Sequence, residues 1–179
     1  FYPCMTYNFD EHKGDNHYNC PVVAYYPELL KANVAELSQE GVLFLHPHLG
    51  VHRPEMFTEK LYESLAAAFP ELTKEEVAAA TQAAYAAQAQ WMADIKEQGR
   101  LAIAYAREHG HKIVVLSGRP YHIDPEINHG IDRLIASFGI VVVGEDAVAD
   151  LVEPVKVNVL NQWTYHARLY NAAKYVTTQ

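Results

Sequence analysis

The sequence predicts a mixed α/β fold: a mostly parallel, Rossmann-like sheet flanked by helices in three layers. Three observations predict it. Short apolar runs are near-continuous rather than alternating, as in strands covered on both faces. Helical periodicity fills the intervals between them. The order then reads strand, helix, strand, long helices, strand, helix, strand, helix, the alternation of a parallel sheet with right-handed crossovers.

The strand runs are Val42-Leu43-Phe44-Leu45, Lys112-Ile113-Val114-Val115-Leu116 and Ile140-Val141-Val142-Val143, with Phe1-Tyr2 as the end of another. Val22-Val23-Ala24-Tyr25 reads equally as a strand or a bend. Pro27 can open a short helix through Leu29, Leu30 and Lys31. Pro54 suits the first position of a second helix, which Pro70 must end. Thr73 and Glu76 then form a Thr-x-x-Glu capping box. Behind it Val77, Ala80, Ala84, Ala87, Trp91 and Ile95 recur at helical spacing, a stripe that belongs to the core. Fifteen alanines fall between Ala66 and Ala106, so helix propensity is high throughout, and Gly99 either divides this stretch or sits inside one long helix. Asp124-Pro125 reads as an N-cap followed by the first helical residue, with Ile127, Ile131, Leu134 and Ile135 as the apolar face and Gly139 past the end. A last helix covers Trp163 to Tyr175.

Residues 1–179 read as a single α/β domain. The opening Phe1-Tyr2-Pro3-Cys4, without an initiator Met, suggests a piece of a longer multidomain protein. Fourteen basic against 22 acidic residues leave a net charge of −8, which argues against general nucleic-acid binding. No apolar run reaches the roughly 20 residues of a membrane helix. Two cysteines do not make a secreted disulfide scaffold. A cytoplasmic protein is expected.

In parallel sheets, sites lie beyond the carboxyl ends of the strands. The strand at 112–116 runs into Ser117-Gly118-Arg119-Pro120-Tyr121-His122-Ile123-Asp124-Pro125-Glu126-Ile127-Asn128-His129-Gly130, the densest polar stretch of the chain. Arg119 offers a planar fork for a carboxylate or phosphate, and His122 brings an imidazole. The same residues have a purely local reading, in which Gly118 turns, Asp124 caps and Arg119 pairs with a nearby acid. Glu145-Asp146 either meets Arg119 across adjacent strand ends or caps its own turn.

Cys4 and Cys20 lie in polar surroundings outside the apolar runs. Two thiols alone read either as metal ligands or as small buried hydrophobes. His46-Pro47-His48 with His52 has the ligand count of a zinc site or of an exposed loop. No G-x-x-x-x-G-K-[ST], G-x-G-x-x-G or G-x-S-x-G motif is present, which disfavours classical nucleotide and serine hydrolysis.

Four segments carry a resemblance: Tyr2-Pro3-Cys4-Met5, Asn19-Cys20-Pro21-Val22-Val23, Phe44-Leu45-His46-Pro47 and Gly118 through Ile131. They resemble the acyl-CoA dehydratase activase-related proteins, activators of (R)-2-hydroxyglutaryl-CoA dehydratase, and specifically their dehydratase-subunit-like portion. The resemblance implies an α/β Rossmann-like segment beside an ATPase module. It implies iron–sulfur electron transfer to, or dehydration of, a 2-hydroxyacyl-CoA. Cys4 and Cys20 then become ligands of a [4Fe–4S] cluster in the full-length protein, incomplete in this segment alone. The implied partners are a 2-hydroxyacyl-CoA dehydratase, other domains of the same chain, and acyl-CoA. His122, Tyr121 and Asp124 become catalytic candidates, and Arg119, Glu126, Asn128 and His129 become substrate- or anion-binding candidates. The alternative is a non-catalytic module that binds a partner, CoA or another anion and holds no cluster.

Overall fold

The computed structural model describes residues 1–178, with Pro120 described by its backbone. Seven elements follow in order: α1 (Pro21–Asn33), α2 (Pro54–Ala66), α3 (Lys74–His109), β1 (Ile113–Leu116), α4 (Ile131–Ala136), β2 (Val141–Gly144) and α5 (Thr164–Thr177). The chain is mixed α/β, helix-rich, with one two-stranded parallel sheet among the described residues. It divides into two compact units. Phe1–Ala87 with Gln162–Thr164 form the first, and Gln88–Asn161 with Tyr165–Gln179 form the second.

In the first unit, α1 begins at Pro21 rather than Pro27, and Val22–Tyr25 is helical. Cys20 is the N-cap and Pro21 takes the first helical position, where a missing N–H costs nothing. Val22, Val23, Tyr25 and Tyr26 are exposed, so no strand packing competes with the helix. The run at 42–45 forms no strand either. Its extended backbone continues to residue 49 and pairs in parallel with residues 2–4. Tyr2 N–H donates to Leu45 O at 2.8 Å, Cys4 N–H to Pro47 O at 2.8 Å, and Leu49 N–H to Cys4 O at 3.0 Å. The rung that residue 47 would donate is absent because Pro47 has no N–H. A single bridge, Cys4 with His48, remains.

Polar residues 8–17 make an excursion closed by Asn8 N–H to His17 O, 2.9 Å, and by Asn19 N–H to Thr6 O, 2.9 Å. The capping box at the head of α3 forms as read: Thr73 N–H donates to Glu76 Oε2 at 2.9 Å, and Glu76 N–H to Thr73 Oγ1 at 3.2 Å. α2 ends before Pro70, and α3 meets it through Thr58 and Thr81 hydroxyls 2.9 Å apart.

In the second unit α3 continues unbroken through Gly99. β1 and β2 pair from Ile113 with Val141 to Leu116 with Gly144. They pack with α3 and α5 around Ile103, Val143, Ala147, Val148, Ala172 and Tyr175. Asn171 is buried among them and bonded at both ends of its amide, accepting from Val155 N–H and donating to Ala149 O, each at 3.0 Å.

The helix expected from Pro125 starts only at Ile131. Asp124 does cap, but it caps a turn: its Oδ1 accepts from Glu126 N–H at 2.9 Å and Ile127 N–H at 3.3 Å. His129 and Gly130 then take left-handed φ of 54° and 75°, which a helix through them would not allow. Gly139, at φ 74°, follows α4 as expected.

Candidate functional site

β1, α4 and β2 form one strand–helix–strand unit. Beyond the carboxyl ends of its strands lies a crevice of about 240 Å3, lined by Gly118, Arg119, His122, Asn128, Glu145 and Asp146 among others. This is where a parallel sheet places its sites. A 3-10 turn, Pro120–Ile123, follows β1 after three residues and brings His122 against Gly118. Arg119 N–H donates to His122 Nδ1 at 3.0 Å. An accepting Nδ1 leaves the ring proton on Nε2, so the neutral ring is a donor there. His122 packs against Gly118, whose α-carbon has no space for a β-carbon beside the ring.

Asn128 is fixed from the other side, its Oδ1 accepting from Gly130 N–H at 2.8 Å. Its Nδ2 is shielded and has no hydrogen-bond partner among the described residues. Glu145 is buried and lies 3.9 Å from the Arg168 guanidinium. Arg119, His122 and Asn128 thus line one small space, together with the acidic Glu145 and Asp146. Tyr121 is exposed and packs edge-on to His122, ring centroids 4.5 Å apart. Asp124 shapes the loop through its two backbone bonds. Glu126 and His129 are exposed and do not line the crevice.

The thiols lie in the first unit. Cys4 is buried and Cys20 is partly buried at the start of α1. Cys4 Sγ, a Glu28 carboxylate oxygen and a His48 ring nitrogen all lie within 4.8 Å of one another. His46 Nε2 and His48 Nε2 approach the same Glu28 oxygen at 3.4 and 3.5 Å. Burial pushes the Cys4 thiol up; the Glu28 backbone pulls it down, and the Glu28 charge adds to the rise. Cys20 is not in this group, and neither is His52, which packs against Tyr7 and His17.

A [4Fe–4S] cluster takes four thiolates. The sequence has two, and among the described residues Cys4 joins a group of ligand atoms that does not include Cys20. The Cys, Glu and His donors brought together here suit a single borderline divalent ion better than a four-iron cluster. Glu28 was missed by sequence reasoning because its partners come from two distant loops. Its place one residue after Pro27 gave no sign of them.

No helix among the described residues is long and apolar enough to cross a membrane. Residues 1–148 match the family model described as the CoA enzyme activase uncharacterised domain. No curated protein and no solved structure matches the chain.

Proposed function

The chain belongs to the CoA enzyme activase domain family, and from that premise we propose that it is the part of an activator that recognises an acyl-CoA or its dehydratase through an anion. The dehydratase is of the 2-hydroxyacyl-CoA kind, with (R)-2-hydroxyglutaryl-CoA dehydratase as the named case. The observation that supports this most is the convergence of Arg119, His122 and Asn128 donors on one crevice at the strand ends.

The chemistry follows from those groups. The Arg119 fork matches a carboxylate or phosphate edge. His122 Nε2–H and Asn128 Nδ2 supply neutral donors that fix orientation. Asp124 holds the loop in register by capping Glu126 and Ile127. Tyr121 covers the outer face of His122, and Glu126 and His129 are left for a larger ligand's outer end. In this reading the chain binds and orients.

Calorimetric titration with 2-hydroxyglutaryl-CoA, CoA and the free hydroxy acid tests the reading. Arg119→Ala should weaken the tightest binder by roughly tenfold or more, the usual worth of a charge-assisted bond. Absence of binding for all three, or affinity unchanged by Arg119→Ala, rejects it.

A further inference from the structure

A second cavity, of about 300 Å3, lies in the first unit, lined by Tyr7, His17, His52, Arg53, Phe57 and Lys60 among others. Its charge is unlike the chain's. The protein carries a net −8, yet this cavity gathers an arginine, a lysine and two histidines and no acidic side chain lines it. The Asp10 carboxylate lies 3.9 Å from His17 Nδ1 and also pairs with His12.

Four lining residues, Arg53, Met56, Phe57 and Lys60, come from one face at the start of α2. Arg53 is its N-cap, and Phe57 and Lys60 follow on the next two turns. The helix runs 13 residues, so its first amides and positive dipole end add to the same field. Tyr7 forms the aromatic wall, its ring centroid 4.9 Å from His52 and 5.3 Å from His17. Tyr18 stacks behind it at 4.6 Å and takes its hydroxyl hydrogen bond at 3.0 Å, which holds the wall still. Gly50 admits the edge of His52, where a β-carbon would meet the ring at 2.9 Å. His17 Nε2 and His52 Nδ1 are shielded and have no hydrogen-bond partner among the described residues. Such groups in a native interior ordinarily answer to something.

We propose that this cavity binds the phosphate group of a small phosphomonoester, with the organic part against Tyr7 and Phe57. Arg53 and Lys60 would supply the charged contacts, and His17 and His52 line the same cavity. The site is independent of the crevice at Arg119.

The test is calorimetric titration of the full chain with phenyl phosphate and with inorganic phosphate. Arg53→Ala, Lys60→Ala and the double variant are compared. Both side chains are exposed, so the fold survives their removal. Saturable binding of either compound is expected, weakened roughly tenfold by each substitution. Arg119→Ala should leave it intact. Preference for phenyl phosphate supports the proposal, and equal affinity for the two compounds overturns the organic ester in favour of free phosphate. No saturable binding, or binding untouched in the double variant, overturns the proposal.

Discussion

Gly99 and Ala147 meet with no room for a side chain between them: a β-carbon built on Gly99 would overlap the Ala147 Cβ and crowd its backbone. This contact sets how closely α3 approaches the turn that follows β2. It also explains a glycine within a 36-residue helix otherwise rich in alanine.

Gly99→Ala should therefore destabilise the protein. On propensity alone it would stabilise an interior helical position by about 0.5–1 kcal/mol. Overpacking costs about 1–3 kcal/mol. The contact should win by about 1 kcal/mol, seen as a lower urea midpoint at unchanged slope. The pair Gly99→Ala with Ala147→Gly should recover most of the loss. A single variant more stable than the parent would show that the contact gives way without strain.

The particular residues explain what could be read in advance. β1 and β2 were legible because Ile113–Leu116 and Val141–Val143 are continuous apolar runs with turn residues after them. The pairing of residues 2–4 was only half legible. Pro47 removes one rung, so the ladder lies beyond the apolar run that announced it. Asp124-Pro125 carries the signature of a helix start, and its cap is real. What sequence did not reveal was that His129 and Gly130 leave the helical region and delay α4. The Arg119–Asn128 loop was found because its chemistry is contiguous. Glu28 beside Cys4, and the four basic residues around Tyr7, were not. Local periodicity reports one element's faces and says nothing of which loops converge.

The capping box at Thr73 and Glu76 gives a pH-dependent prediction. Hydrogen bonds from the Thr73 backbone and hydroxyl hold the Glu76 carboxyl below its ordinary value of about 4.5. A carboxyl depressed in the folded state contributes stability that is present above that ordinary value. The contribution is lost as pH falls through the lower folded value. Glu76→Gln keeps the geometry and removes the titration. Its stability should therefore fall less than the parent's on acidification below about pH 4.5. Thr73→Ala should cost about 1 kcal/mol at neutral pH. Identical acid limbs for the parent and Glu76→Gln in urea titrations would mean the box does not tighten on ionisation.

Cys4 is the last case, and it ties thiol chemistry to the ligand group around it. The thiolate is the species that both alkylates and binds metal. Burial raises the Cys4 thiol above its ordinary value, and the Glu28 charge adds to the rise. In a Cys20→Ser background, iodoacetamide should therefore react with native Cys4 much more slowly than with the unfolded chain at neutral pH. The native rate should climb with pH beyond the point where an ordinary thiol has levelled off. Glu28→Gln removes the like charge and should move that climb to lower pH. The same sign governs metal uptake. A protonated Cys4 must release its proton to ligate, so zinc affinity at the Cys4, Glu28 and His48 group should rise with pH. Alkylation as fast in the native chain as in urea would show that Cys4 is neither shielded nor held protonated, and with that the pH dependence of metal uptake would fall too.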